Sequence, residues 1–105
     1  MKLEIKGRIS EANIQAEFYR RCKDNNLHCY LEYKHEKSRF DAVMYYRETL
    51  EIYAIIEVKS YVDKKDPNLD TKQLKKYGQY NIPIYVIGRM EHIDNVIEEL
   101  ILKNV

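Results

Sequence analysis

The sequence predicts a single α/β domain with the element order αβββαβα, in which helices flank a central mixed four-stranded sheet. Its 105 residues are enough for one hydrophobic core and too few for two. Three consecutive segments are rich in aromatic and β-branched residues, and a fourth follows after a polar connection. Helix signals stand before the first segment, before the fourth segment and after it.

The first half of the chain predicts one helix and three strands. A helix is expected over residues 10 to 25, because Ser10 is a favourable N-cap and helix-forming residues follow it. Strands are expected within residues 27–36, 39–47 and 48–61. The short turns between them predict an antiparallel meander.

The second half predicts a helix, a strand and a final helix. A second helix is predicted over residues 69–80, after a polar connection. A buried fourth strand is predicted over residues 82–89, with Pro83 near its start. Apolar residues then recur with the strongest helical periodicity in the chain, at Ile93, Val96, Ile97, Leu100 and Ile101.

Composition limits the classes of function. Lys plus Arg number 18 against 17 Asp plus Glu, so the overall charge does not indicate a nucleic-acid partner, and binding a polyanion requires local clusters of basic residues. Cys22 and Cys29 are expected to be free thiols in a reducing compartment. No apolar stretch approaches the roughly 20 residues of a membrane span, and the first residues have no signal-peptide pattern. We therefore expect a soluble protein of the cytoplasm.

Three charged residues stand inside apolar, strand-like segments. Glu57 and Lys59 are two apart, so they project to one side of the third strand, while Ile56 and Val58 project to the other. Asp41 lies on the preceding strand of the meander, where a cross-strand or diagonal approach to Glu57 costs little. Two carboxylates that close repel each other unless a proton or cation lies between them, which predicts a site for a hard divalent metal such as Mg²⁺.

This pattern resembles the PD-(D/E)XK nuclease superfamily, and its small virus-type and Holliday-junction-resolvase-like members in particular. The resemblance consists of Asp41, fifteen intervening residues and then Glu57-Val58-Lys59, on the second and third strands of an αβββαβα chain. It covers roughly residues 10 to 103. The motifs are short and degenerate, so their order and structural context supply the specificity. One departure is Phe40, which stands where many family members have proline.

The resemblance implies a metal-dependent nuclease acting on DNA. Asp41 and Glu57 would bind Mg²⁺ with the help of the Val58 carbonyl, and Mn²⁺ would substitute for Mg²⁺. Lys59 would assist the attacking water. Small members of the family commonly act as symmetric dimers, so a homodimer is expected.

The first helix offers two acids for the supporting position that family members often have there. Ile14, Phe18 and Cys22 define the inward stripe, and at 100° per residue Glu11 falls within it, whereas Glu17 does not. Glu11 is therefore the predicted metal-site acid, and Gln15, one turn later, is expected to support it. The alternative is that Glu11 only favours the positive end of the helix.

The second predicted helix carries an amide among apolar neighbours. Gln73 resembles the family's auxiliary motif and would orient water, a carboxylate or the scissile phosphate; the alternative is a hydrogen bond to a main-chain end. Lys34 and Lys37 add local positive charge. The basic residues expected to contact nucleic acid are Arg39, Lys64, Lys65, Lys72, Lys75 and Lys76.

Two readings without catalysis compete with the nuclease prediction. Asp41, Glu57 and Lys59 could form a buried ion cluster of purely structural value, although desolvation makes such clusters a poor source of net stability. A nuclease-like fold could also bind nucleic acid or a protein partner without cleaving anything. The motifs are compatible with duplex, flap, four-way-junction or end substrates, and with DNA or RNA.

Overall fold

A computed structural model describes residue 3, residues 10–59 and residues 78–105. These residues form an α/β arrangement of two helices and four strands in the predicted order. The elements are α1 (Glu11–Asp24), β1 (Cys29–His35), β2 (Ser38–Tyr45), β3 (Ile52–Val58), β4 (Ile84–Ile87) and α2 (Met90–Lys103). The predicted helix over residues 69–80 falls for the most part outside the described residues.

The four strands form one mixed sheet in the spatial order β1-β2-β3-β4. The first three pair antiparallel, as the short turns between them predict, and β4 pairs parallel to β3. Parallel neighbours require a crossover connection, in agreement with the long segment between β3 and β4. The predicted mixed four-stranded sheet is therefore confirmed.

Helix α1 begins and ends within a residue of its predicted limits. The Ser10 hydroxyl accepts a hydrogen bond from the Asn13 N–H at 3.2 Å, which satisfies one of the unpaired donors of the first turn. Ile14, Phe18 and Cys22, spaced one turn apart, are all buried. The prediction that these three residues face the core is confirmed. The prediction that Glu11 falls within the same inward stripe is wrong, because Glu11 is exposed in the first turn and the buried stripe begins only at Ile14.

Helix α2 buries four of its five periodic apolar residues. Ile93, Val96, Ile97 and Leu100 lie in the core, whereas Ile101 is 37 % exposed. The helix that this periodicity predicts is confirmed, and Ile101 is its one periodic residue that lies outside the buried stripe. At 100° per residue Ile101 lies about 80° from Ile93, at the edge of the apolar face, where the helix surface turns toward solvent.

The main core lies between the sheet and the two described helices. Ala42, Met44, Ile56 and Val58 of the sheet pack there with the buried stripes of α1 and α2. A smaller apolar cluster on the opposite face of the sheet is built around Phe40, Val43 and Ile55. Both described helices therefore cover the same face.

Cys22 and Cys29 are free thiols, as predicted. They stand on adjoining elements, Cys22 near the end of α1 and Cys29 at the start of β1. Neither described helix is long and apolar enough to cross a lipid bilayer.

Candidate active site

The alternation of side chains reverses in β1 and β2 at the same level of the sheet. Leu31 pairs with Ala42, and both contribute to the core beneath the helices. Tyr33 pairs with Phe40, and both belong to the cluster on the opposite face, where their rings stack at 6.2 Å. Residues two apart on a regular strand share a face, so each strand has an irregularity between these two pairs.

Glu32 and Asp41 occupy that irregularity. The backbone pairs on either side keep the same register, but these two residues are not themselves a ladder pair. Glu32 has a φ of 55°, in the left-handed region. A residue with a side chain adopts this conformation at a cost of about 1 to 2 kcal/mol. The two strands therefore depart from regular geometry at an acidic residue in each.

The Asp41 carboxylate lies where β2 and β3 cease to pair. The last pair of the two strands at this end is Ala42–Ile56. Beyond it, the Val58 N–H donates to Oδ2 of Asp41 at 2.7 Å. A side-chain oxygen thus replaces a main-chain acceptor at the end of the ladder, and it fixes the Asp41 carboxylate between the two strand ends.

A chain of polar contacts connects α1 to Asp41. Nε2 of Gln15 donates to the main-chain oxygen of Asp41 at 2.7 Å and to Oε1 of Glu32 at 3.2 Å. Nε of Arg39 donates to Oε2 of Glu32 at 2.7 Å. Gln15 therefore supports Asp41 and Glu32, in addition to any part it has beside Glu11.

Sequence reasoning did not single out Glu32. The signal that pointed to Asp41 was also present for Glu32, an acid between Leu31 and Tyr33 in a strand-like segment. Glu32 was missed because every second residue of an edge strand normally faces solvent, so a single acid there needs no functional explanation.

The surroundings of Asp41 favour its protonated form. Burial is the main cause that raises the pKa of the Asp41 carboxyl, and the Val58 N–H opposes it. The negative charges of Glu32 and Glu11 also raise this pKa, while Lys59 lowers it, and the net change is upward. Burial therefore makes the ionised Asp41 carboxylate less stable than a solvated one, and the negative charges of Glu32 and Glu11 add to this effect.

Glu57 and Lys59 lie together at the end of β3. Glu57 is only 7 % exposed, and its Oε1 is 3.7 Å from Nζ of Lys59. Their contact agrees with the alternation of β3, since Ile56 and Val58 point into the helix-side core. A carboxylate this buried needs compensating partners, and Lys59 is one of them.

The two acids of α1 have different surroundings. Glu11 is exposed in the first turn of α1, and its charge raises the pKa of Asp41. Glu17 accepts hydrogen bonds from Arg20 and Arg21, which lower the pKa of Glu17 to about 2. Of the two, Glu11 is therefore the acid near Asp41.

Several predicted site residues lie outside the described part of the chain and stay predictions: Lys64, Lys65, Lys72, Gln73, Lys75 and Lys76. Arg39 is described, and its side chain is 64 % exposed while it pairs with Glu32. To contact nucleic acid as predicted, Arg39 must either bind a phosphate while it stays paired with Glu32 or release Glu32.

The oxygen donors at the ends of β2 and β3 fit Mg²⁺ in kind. Mg²⁺ is usually held by one or two carboxylates and keeps several waters, so Asp41 and Glu57 would suffice with water and substrate oxygens. Among the described residues, no three His, Cys, Asp or Glu side chains are gathered closely enough to form a ready-made metal cluster. Any cation here would therefore depend on few protein ligands.

Comparison of the chain with protein-family models, with curated proteins and with solved structures gave no match. The function must therefore be inferred from the site itself.

Proposed function

We propose that the protein is a Mg²⁺-dependent nuclease that hydrolyses phosphodiester bonds in DNA, with a restriction-endonuclease-like fold of the PD-(D/E)XK type. The observation that carries the proposal is the Asp41 carboxylate, held on the Val58 N–H at the point where β2 and β3 separate. On either side of Val58 in the chain stand a buried acid, Glu57, and the lysine that pairs with it, Lys59.

Asp41 and Glu57 would hold the cation, with the Val58 carbonyl as a further ligand and Glu11 assisting from α1. When bound, Mg²⁺ supplies a positive charge that stabilises negative phosphate oxygens and makes a neighbouring water more acidic. A divalent cation would offset the cost of keeping the partly buried Asp41 carboxylate ionised, and the negative charges of Glu32 and Glu11 would add to its attraction.

Lys59 would act on the reacting atoms. In hydrolysis the oxygen of a water forms a new bond to phosphorus while the ester P–O bond breaks, and the leaving oxygen takes up a proton. The Lys59 ammonium, 3.7 Å from Glu57, is suited to orient that water and to stabilise the growing negative charge. Gln73 would orient the phosphate or the water.

Substrate affinity would come from basic residues outside the acidic centre. The chain has a net charge of only +1, so contact with the DNA backbone depends on local groups of lysines and arginines. The residues proposed for this role are Arg39, Lys64, Lys65, Lys72, Lys75 and Lys76. A homodimer working in the cytoplasm, with two sites for two strands, completes the proposal.

A catalytically inactive nuclease-like binding module is the second candidate. It is favoured by one observation, since the described residues do not gather a ready-made metal cluster. It would bind nucleic acid or a protein partner through the same surface.

A cleavage panel tests the proposal. Wild-type protein is incubated with duplex, flap, four-way-junction and single-stranded DNA, and with matched RNA, in Mg²⁺, Mn²⁺ or EDTA. We expect cleavage of at least one DNA substrate in Mg²⁺ or Mn²⁺, no cleavage in EDTA, and none by Asp41→Ala. Binding without any cleavage would favour the inactive module.

A further inference from the structure

The Gln15 side chain reaches both irregular strands from α1. Its Nε2 carries two protons, and the two acceptors are the Asp41 carbonyl at 2.7 Å and the Glu32 carboxylate at 3.2 Å. Two acceptors on one amide nitrogen leave the group little freedom to rotate. The position of Gln15 therefore depends on Glu32 as well as on Asp41.

Both carboxylate oxygens of Glu32 have a partner. Oε1 accepts from Gln15, and Oε2 accepts from Arg39, which stands two residues before Asp41 on β2. Both partners of Glu32 are therefore linked to β2, the strand that carries Asp41: Gln15 bonds to its main chain, and Arg39 is part of it. A carboxylate bound on both oxygens is oriented, and bonds that involve a charged group are stronger than neutral ones.

The backbone of Glu32 also departs from what its residue type prefers. A φ of 55° suits glycine or asparagine better than glutamate, and surrounding contacts must maintain it. It lies between the pairs Leu31–Ala42 and Tyr33–Phe40, where β1 and β2 both reverse their alternation. The strained residue and the functional acid thus occupy one level of the sheet.

We propose that Glu32 is a positioning residue of the site: it holds the Gln15 amide on the Asp41 main chain and thereby keeps the Asp41 carboxylate on the Val58 N–H. The consequence for cation binding and cleavage rests on the proposed function. The position of the Asp41 carboxylate, by contrast, can be measured in the metal-free protein, whether or not the protein is a nuclease.

Contacts of this kind add little to global stability. The side chains of Arg39 and Glu32 are 64 % and 44 % exposed, and exposed ion pairs typically contribute little to stability. Residues that orient metal ligands nevertheless typically change metal affinity or activity by about 10- to 100-fold when they are replaced. A positioning role therefore predicts a change at Asp41 with little change in the melting temperature.

The Val58 backbone amide is the reporter for this test. Its N–H donates to Asp41 at 2.7 Å, so its NMR chemical shift and hydrogen-exchange rate follow the position of the carboxylate. In metal-free Glu32→Ala we expect the Val58 resonance to shift and its exchange to accelerate by about tenfold or more. Glu32→Gln keeps an acceptor for Gln15 and should stay close to wild type.

Glu36→Ala is the matched control. Glu36 is also an exposed glutamate with a φ of 55°, but it lies at the turn between β1 and β2, away from the level of Asp41. It should leave the Val58 amide unchanged. If Glu32→Ala does not fold, Glu32→Gly serves instead, because glycine removes the side chain and accepts the left-handed backbone; the same change at Val58 is expected.

Mn²⁺ calorimetry on the same variants separates this inference from the proposed function. We expect Glu32→Ala to weaken Mn²⁺ binding by about tenfold, with Glu36→Ala unchanged. A wild type that neither binds Mn²⁺ nor cleaves DNA, but whose Val58 amide responds to Glu32→Ala, would refute the nuclease and leave the positioning role intact. A Val58 amide that is identical in wild type and in the Glu32 variants would overturn the positioning role.

Discussion

At the scale of single residues, two acids at one level of the sheet have opposite electrostatic surroundings. Bonds from Arg39 and then from Gln15 lower the pKa of Glu32, so it stays ionised. Burial raises the pKa of Asp41, with further contributions from Glu32 and Glu11. A carboxylate held in unfavourable surroundings is characteristic of functional sites, because a ligand rather than the fold then stabilises its charge.

This environment predicts the stability of Asp41→Asn. A folded-state pKa above the unfolded value of about 4 means that Asp41 stabilises the fold at low pH and that this contribution is lost as pH rises through the folded pKa. Asparagine is neutral and keeps an oxygen for the Val58 N–H. In metal-free buffer, Asp41→Asn should melt above wild type at pH 7 to 8, and the advantage should shrink toward pH 4.

Asp24→Asn is the control for Asp41→Asn, because Asp24 is exposed and its carboxylate pairs with Arg20. It should not raise the melting temperature at neutral pH. Thermal melts of the three proteins across pH 3 to 8 provide the comparison. An Asp41→Asn variant that melts below wild type at pH 7 and matches it at low pH would contradict the raised pKa of Asp41.

The contact between Glu57 and Lys59 was predictable from the sequence, whereas the position of Asp41 was not. Period-two alternation places Glu57 and Lys59 on one side of β3, and the end of β3 from Ile55 onward follows it. The same rule fails at Glu32 and Asp41, because contacts from α1 and a left-handed backbone maintain an irregularity there. Long-range contacts of this kind leave no periodic signal in the sequence.

At the scale of elements, α1 offers a test with two matched acids. Glu11→Gln removes a charge that acts on Asp41, whereas Glu17→Gln removes one that is already paired with Arg20 and Arg21. We expect Glu11→Gln to lower the DNA cleavage rate by about tenfold or more, within the usual range for a residue near a metal. Glu17→Gln should cleave nearly as fast as wild type.

Rates for the two α1 variants should be measured in Mg²⁺ on the same substrate, alongside far-UV circular dichroism to compare helix content. Similar mild losses in both would show that the first turn of α1 serves the fold and not the site.

The junction between α1 and β1 predicts the reactivity of the cysteines. A hydrogen bond with Cys29 is the main cause that raises the pKa of Cys22, and burial adds to it. Because the thiolate is the reactive form and Cys22 is fully buried, Cys22 should resist iodoacetamide in native buffer at pH 8. Both thiols should react fully in denaturant, as followed by mass spectrometry.

Rapid labelling of Cys22 without denaturant would contradict the packing of α1 against the sheet. Cys29 provides the internal comparison, since it is only partly buried.

Elements with strong local signals were the most predictable from sequence. The Ser10 cap and the four-residue spacing of Ile14, Phe18 and Cys22 give α1 almost to the residue. The strands were found because β-branched and aromatic runs are long and the turns are short. The exposure of Ile101 was not predictable, because a periodic pattern does not define the width of the buried stripe, which depends on what packs against the helix.

At the scale of the whole molecule, the mixed order of the sheet follows from chain connectivity. Short turns permit antiparallel neighbours only, and the long connection to β4 permits a parallel one.

The smaller apolar cluster on the second face of the sheet includes Tyr33, while Tyr30 of the same strand is 57 % exposed. Aromatic surface of this kind is typical of interfaces.

The proposed homodimer is tested by mass. Light scattering at tens of micromolar protein should give about twice the monomer mass of 12.7 kDa. The measurement should be made with and without a short DNA duplex, so that assembly on the substrate is distinguished from assembly in solution. A monomer mass under both conditions would refute the dimer without affecting the assignment of the catalytic residues.

Lys59→Ala tests most directly whether the charges at the end of β3 perform chemistry. In the proposed enzyme, Lys59 stabilises the transition state, while DNA affinity comes from other basic residues. A lysine of purely structural value would instead stabilise the buried Glu57, and its loss would cost about 3 to 5 kcal/mol of folding free energy.

The decisive measurement is the cleavage rate of Lys59→Ala in Mg²⁺, made on the same preparation as its thermal melt and its DNA affinity in Ca²⁺. We predict a folded protein that retains most of its DNA affinity and cleaves at least about a hundredfold more slowly than wild type. A variant that melts far below a wild type which itself cuts none of the substrates would contradict the nuclease and leave a binding module.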